Sequence, residues 1–431
     1  MTTRHTELVE VRNSQLSITG SKSETNRLLL LKALYPNISL ENASNSDDSE
    51  VMTNIIQNFQ LPTSVALSAV EVQQLFNVHH AGTAMRFLTA FFAIQEGKEI
   101  VLTGSSRMKE RPIKILVEAL QQLGAEISYE ENEGFPPIKI KGRKLINNKV
   151  SLPANVSSQY ISALLLIAPK LENGLELTLE GEITSIPYIK MTLALLNEIG
   201  VETSFVNDKI TVIPSAIEAQ QIITIESDWS SASYWYSIIA LSEIGTQITL
   251  SSYKQNSLQG DSALVEIYKN FGVETIFNNN NSISIIKSNN FKPDPSENEQ
   301  AKQTLNLKLN NSPDIAQTIA VTCFGLGIGC HLTGLHTLKI KETDRLEALK
   351  TELSKLGANI SVTNDSLTIQ QSNNLNSNIK IKTYQDHRMA MAFAPLALKT
   401  SIIIEDAEVV SKSYPTFWED LHSIGFQVEN Q

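Results

Sequence analysis

The chain has 431 residues, 42% of them hydrophobic and 19% charged; this composition excludes intrinsic disorder and fibrous repeats, and the length exceeds what one hydrophobic core usually serves, so two or more domains are expected. Lys and Arg total 35 against 46 Asp and Glu, a net charge of -11, which argues against a general nucleic-acid or anionic-membrane binder and requires any anionic substrate to meet a local basic pocket. Cys323 and Cys330 are the only cysteines, too few for a disulfide framework or a four-cysteine zinc site, and the polar start Met1 to Val11 has no signal-peptide core, so a cytoplasmic protein with two buried thiols is expected.

In chain order, Gly20-Ser21-Lys22-Ser23-Glu24-Thr25-Asn26-Arg27 precedes the apolar helical run Leu28 to Leu34. Hydroxyls and two cations thus gather at a helix start, where free backbone N–H groups and the helix dipole favour an anion. An ordinary Ser or Thr cap with solvated cations accounts for the same residues without a ligand. Gly82-Thr83-Ala84-Met85-Arg86 opens a helix before Phe87 to Ala93, Ser157-Ser158-Gln159 another running to Ala168, and Ser230-Ser231 a further one. One such start is routine capping; several converging on one place make an anion site.

Arg107-Met108-Lys109-Glu110-Arg111-Pro112 packs three cations ahead of a helix, the end at which the dipole disfavours them. Lys339-Ile340-Lys341-Glu342-Thr343-Asp344-Arg345 does the same before Leu346 to Leu356, and Tyr384-Gln385-Asp386-His387-Arg388 before Met389 to Leu398. Surface ion-pair clusters explain any one of them; three together point to bound phosphate or carboxylate. Asp314, after Ser312 and Pro313 at a helix opening, is fully explained by capping. Asn278 to Asn281 and Asn289 to Gln303 read as surface loops. Gly325-Leu326-Gly327-Ile328-Gly329 leaves a helix instead of opening one and lacks the last glycine of a dinucleotide loop, and there is no Walker loop or HExxH motif.

A helical stretch ending at apolar-Gly-apolar and running into a strand recurs at Gly124, Gly200, Gly272, Gly357 and Gly425, at spacings of 76, 72, 85 and 68 residues. With a degenerate copy ending near Asn58-Phe59, six units of about 70 residues fill the chain, which predicts an α/β or α+β fold of two domains with three units each.

Read together, Gly20 to Ser23 with Asn26-Arg27, Ala81 to Arg86, Arg107 to Pro112, Ser157 to Gln159, Lys341 to Arg345 and Asp386 to Met389, with Ser185 to Tyr188 and Ser411 to Ser413 besides, resemble the EPSP synthase family of enolpyruvyl transferases. The match spans nearly the whole chain. The resemblance implies two similar domains of three βαβαββ units each, closing over substrates in a cleft between them. Residues 14–226 would form an inserted domain, mainly for shikimate 3-phosphate. Residues 1–13 and 227–431 would form its partner, with the catalytic carboxylates and most of the phosphoenolpyruvate-binding cations.

By the same resemblance Lys22, Ser23, Arg27, Ser157, Ser158, Gln159, Ser185, Asp314 and Lys341 hold shikimate 3-phosphate. Lys22, Gly82, Arg111, Gln159, Arg345, Arg388 and Lys412 surround phosphoenolpyruvate. Asp314 and Glu342 form the acid and base pair, with Lys22 sharing the proton traffic. No metal or organic cofactor, no nucleic acid and no membrane is implied, and the family's usual form is a monomer. Three positions depart from the family pattern: His80 in place of Asn, Phe87 in place of Pro, and Thr337 in place of a substrate-contacting Asn, so Thr337 is not expected to be a ligand. The competing readings are a UDP-N-acetylglucosamine enolpyruvyl transferase, which usually carries a loop cysteine as proton donor, and a catalytically silent anion-binding scaffold.

Overall fold

The computed structural model describes residues 4–8, 11, 13–60, 74–155, 157–181, 183, 186–289 and 304–430. Ser185 and nearly all of the loop expected at 289–303 lie outside these, while Asn58-Phe59, where the degenerate copy is expected to end, close the helix Asp47–Gln60. The chain forms two compact units, a discontinuous one, Met1–Gly20 with Glu226–Gln431, and an inserted one, Ser21–Ile225. Strand β2 (Ser14–Leu16) runs parallel to Gln247–Leu250. The chain therefore crosses into the inserted unit at Ser21 and not at residue 14, because that pairing ties residues 14–16, and a bridge to Ser227 ties Gly20, to segments far along the sequence.

One pattern is used throughout. In the inserted unit Gln74–Asn77 and Glu99–Thr103 are parallel, joined by helix α2 (Gly82–Ala93), and Ile138–Lys141 returns antiparallel with Glu126–Tyr129 outside it. Lys149–Pro153, Leu175–Glu180, Lys209–Val212 and Thr203–Val206 repeat this with α3 (Ser158–Ile167) and α4 (Ile186–Glu198). A third copy holds α1 (Lys22–Leu34) and Ile38–Glu41, whose parallel partner Gln221–Thr224 comes from the far end of the unit.

In the discontinuous unit the pattern recurs around α6 (Ala316–Gly325) and α7 (Arg345–Lys355). It recurs around α5 (Trp229–Leu241), with β2 as the first strand. In the last copy α8 (His387–Phe393) joins Ile379–Ile381 to Ile402–Ile404, and β1 (Arg4–Leu8) fills the place between Ile402–Ile404 and Phe426–Asn430.

Helices α2, α3 and α5 are apolar on nearly every face and lie wholly inside their units, as the buried Phe87, Phe92, Leu164, Leu166, Trp229 and Trp235 record. Each such side chain contributes roughly 1.5–3 kcal/mol on burial. The five helix-ending glycines all have positive φ, +106° at Gly124 and +73° at Gly272, where a Cβ would be strained. Gly325 ends α6 and Gly329 begins a strand, so this run opens no helix. Cys323 and Cys330 are buried free thiols. Among the described residues no helix is long and apolar enough to cross a membrane.

Candidate functional site

In the inserted unit, α1 starts at Lys22 because the Ser21 side chain accepts from Glu24 N at 3.5 Å. Lys22 Nζ lies 3.6 Å from Asp48 Oδ2. Arg27, sixth in α1 and 3% exposed, donates from Nε to Thr192 Oγ1 (2.8 Å), from Nη2 to Ser162 Oγ (3.0 Å) and from Nη1 to Ser23 O (2.7 Å). Ser162 and Thr192 are the fifth and seventh residues of α3 and α4. At a rise of about 1.5 Å per residue the three helices therefore begin at nearly one level. Gln159 Nε2 donates to Thr83 Oγ1 at 3.0 Å, which adds the first turn of α2. The convergence of helix starts that the motif argument required is present inside this unit.

Arg111 belongs to the same place. A Cβ on Gly82 would lie 2.5 Å from Arg111 Nη1 and 2.8 Å from Nη2, so the guanidinium rests on the glycine. The segment carrying it is pinned from below: buried Arg86 donates to Gly82 O (3.3 Å) and Pro112 O (2.9 Å), and Tyr160 donates to Pro112 O (2.6 Å). Burial pulls Arg27 down to about 10, and burial followed by the nearby Arg111 does the same to Arg86; both stay cationic at neutral pH. Ser157 caps α3 by accepting from Gln159 N at 3.4 Å and is exposed, while Ser158 is buried.

In the discontinuous unit, Ser233 and Thr318 share a hydrogen bond of 3.0 Å and Thr322 donates to Ser237 at 2.8 Å, aligning α5 with α6. At their starts Arg388 donates from Nη1 to Asp314 O (3.1 Å) and from Nη2 to Ser230 Oγ (3.2 Å). Arg345, first in α7, donates from Nε to Asp386 Oδ2 (2.7 Å), from Nη1 to Asp314 Oδ1 (2.8 Å) and from Nη2 to Glu342 Oε2 (2.8 Å). Lys341 Nζ stands 3.4 Å from Asp314 Oδ1. Burial alone would lower the Arg345 pKa, but Asp386, Glu342 and Asp314 together outweigh it and raise it above its ordinary value. Tyr384 and Gln385 take consecutive left-handed conformations, φ +54° and +57°, each costing about 1–3 kcal/mol. That turn sets Asp386 to cap α8, accepting from Arg388 N at 2.9 Å, and offers Gln385 O to Lys412 Nζ at 2.7 Å.

Several expectations change in detail. Arg345, expected beside phosphoenolpyruvate, is 1% exposed, with its donors on three carboxylates. The side chain of Asp314 does not cap its helix but binds Arg345 and Lys341. Of the Arg107 to Pro112 run, Arg107 and Lys109 form surface pairs with Glu110 (2.8 Å) and Glu131 (2.6 Å), and only Arg111 reaches the helix starts. Ser106–Lys109 is itself a short helix. Phe87 lies under the Arg27 guanidinium at 5.5 Å, and His80 Nδ1 shares a hydrogen bond of 3.1 Å with Ser105 Oγ. Thr337 Oγ1 is buried with no hydrogen-bond partner among the described residues. Asp48 and Thr83 contact Lys22 and Gln159, a role the sequence does not assign them, since a helix-start Asp and a Thr after Gly read as ordinary capping.

A family model described as EPSP synthase (3-phosphoshikimate 1-carboxyvinyltransferase) matches residues 10–421. A 3-phosphoshikimate 1-carboxyvinyltransferase of Bacteroides fragilis (strain YCH46) is 43% identical over 418 residues, covering 96% of each chain. One of Haemophilus influenzae is 35% identical over 432 residues, covering 95% of this chain and 96% of that one. The solved EPSP synthase of Acinetobacter baumannii superposes with a TM-score of 0.78 over the full length of both chains at 20% identity, a likeness that bears on fold alone.

Proposed function

The chain belongs to the EPSP synthase family, and from that premise we propose how its residues carry the reaction, the transfer of the enolpyruvyl group of phosphoenolpyruvate to the 5-hydroxyl of shikimate 3-phosphate. In this reading the inserted unit is mainly the shikimate 3-phosphate module. Ser157, Ser158 and Ser185 offer hydroxyl donors to its phosphate, and Lys22, Ser23 and Arg27 add donors and charge at the converging helix starts. The phosphoenolpyruvate set draws on Lys22, Gly82, Arg111 and Gln159 in that unit and on Arg345, Arg388 and Lys412 in the other, answering the carboxylate and phosphate of the donor. Arg345 also fixes Asp314 and Glu342.

The chemistry is an addition followed by an elimination. One carboxylate of the Asp314–Glu342 pair takes the proton of the 5-hydroxyl while a proton is delivered to the methylene carbon of phosphoenolpyruvate. The hydroxyl oxygen bonds to the central carbon, giving a tetrahedral intermediate. Loss of phosphate from that carbon, with return of the carbon-bound proton to the protein, restores the double bond. Lys341 beside Asp314 supports the pairing of a carboxylate with the substrate hydroxyl, and Lys22 shares the proton transfers. A cytoplasmic monomer is the form proposed.

The observation that carries this assignment is the Arg345 guanidinium shared between Asp314 and Glu342, with Lys341 and Arg388 beside them: two carboxylates in different surroundings held in one place. Phosphate release from phosphoenolpyruvate tests it, with shikimate 3-phosphate and separately with UDP-N-acetylglucosamine, for the wild type, Glu342→Gln and Lys22→Ala. Turnover dependent on shikimate 3-phosphate and lost in both variants is expected; turnover with the nucleotide sugar alone, or undiminished in Glu342→Gln, refutes the reading.

A further inference from the structure

Asp261 has no place in the mechanism above, yet it lies beside it. It sits in the short turn Gly260–Ala263 and is buried. The segment is fastened to the start of α5 by three contacts. Gln259 Oε1 accepts from Trp229 N (2.9 Å), Gln259 Nε2 donates to Ser227 O (2.9 Å), and Ser257 Oγ donates to Glu226 Oε2 (2.6 Å). So held, Asp261 Oδ2 accepts the Ser230 hydroxyl, and Ser230 Oγ in turn accepts from Arg388 Nη2 at 3.2 Å.

The order of donors matters. A serine hydroxyl has one proton and can turn it either way. With that proton committed to Asp261, the lone pairs of Ser230 face Arg388, and the guanidinium is held between Ser230 Oγ and Asp314 O. The other carboxyl oxygen, Oδ1, is buried with no hydrogen-bond partner among the described residues, so the group is not there to complete a local cap. Burial, then Asp314 and to a lesser degree Asp228, push the Asp261 pKa up to about 6, with Arg388 and Ser230 opposing them. A carboxyl kept at such a cost, and spent on a single hydroxyl, points to a role beyond stability.

We propose that Asp261 is a positioning residue for phosphoenolpyruvate binding: through Ser230 it fixes the orientation of the Arg388 guanidinium, touching neither substrate itself. This rests on the assignment of Arg388 to phosphoenolpyruvate.

The test is KM and kcat for each substrate, the other saturating, in the full chain and in Asp261→Ala, Asp261→Asn, Ser230→Ala and the Asp261→Ala/Ser230→Ala pair, with Arg388→Lys as reference. Asp261→Ala is expected to raise the phosphoenolpyruvate KM about tenfold, the worth of one charge-linked hydrogen bond, with smaller changes in kcat and in the shikimate 3-phosphate KM. Asp261→Asn, whose carbonyl oxygen still accepts from Ser230, should bring the KM back to within about threefold of wild type. Ser230→Ala should match Asp261→Ala, and the double variant should add nothing further. An unchanged phosphoenolpyruvate KM in Asp261→Ala, or additive effects in the double variant, overturns the proposal. If Asp261→Ala does not fold, Ser230→Ala decides alone, and an unchanged KM there overturns it equally. A KM raised by Arg388→Lys but by neither other variant sinks this inference only; a KM that Arg388→Lys leaves untouched removes the assignment beneath it.

Discussion

Gly82→Ala isolates the contribution of Arg111. The added methyl carbon would stand 2.5 Å from Arg111 Nη1, where an unstrained contact needs about 3.5 Å, so the guanidinium must withdraw by about 1 Å. The obstacle is the tip of a flexible side chain and Gly82 does not have positive φ. The helix itself therefore tolerates the change, and alanine in place of glycine favours α2 by up to about 1 kcal/mol. A shift of that size spoils a charge-assisted hydrogen bond worth about 1.5–3 kcal/mol, or about 10- to 100-fold in affinity. Kinetics with each substrate varied should show the phosphoenolpyruvate KM rising within that range. The shikimate 3-phosphate KM should change less than about twofold and the unfolding midpoint should not fall. An unchanged phosphoenolpyruvate KM would refute the placement of Arg111 in that site, and a fall in midpoint with both KM values raised would mean general damage instead.

Three further outcomes are expected. Asp261 holds its proton more firmly folded, at about 6, than unfolded, at 3.8, so the folded chain binds more protons between those values and its stability falls as pH rises through them; Asp261→Asn should stabilise the chain by up to about 3 kcal/mol above pH 6, with the gain vanishing below about pH 3 in pH-resolved urea titrations. Arg27→Lys gives up the fork that reaches Ser162, Thr192 and Ser23 at once, and should cost about 1–3 kcal/mol in the same titrations, a neutral result refuting the fork's role. Lys287 donates to Ala240 O at 2.8 Å and Phe271 O at 2.7 Å; Lys287→Met strips both carbonyls of that donor and should cost about 1–3 kcal/mol, read by calorimetry, with no loss meaning that water replaces it.

What the sequence disclosed was whatever is written locally. Glycine after each helix, hydroxyls at helix starts and the recurrence of one unit are signals within a few residues, and the positive φ of all five glycines follows from them. The charge pattern was only half legible. Arg107, Lys109, Arg111 and Arg345 look alike in the chain, yet two are spent on surface glutamates, one rests on a glycine and one is buried among three carboxylates. Which cation meets which carboxylate depends on pairings such as Arg345 with Asp386, 41 positions apart, and no local rule fixes these. The same limit hid Asp261, an unremarkable acid in a short turn until Ser230 is seen against it.

The place of β1 in the last sheet bears on how the chain is made. A ribosome delivers Arg4–Leu8 well before its neighbours Ile402–Ile404 and Phe426–Asn430. The inserted unit has all its described strands once Gln221–Thr224 has emerged, and domains generally fold as units during synthesis. It can therefore mature while the earliest strand is still unpaired. Until those neighbours emerge, that strand is an open edge, a template for any passing chain. An early segment is thus housed late, and the discontinuous unit closes only when its two stretches meet.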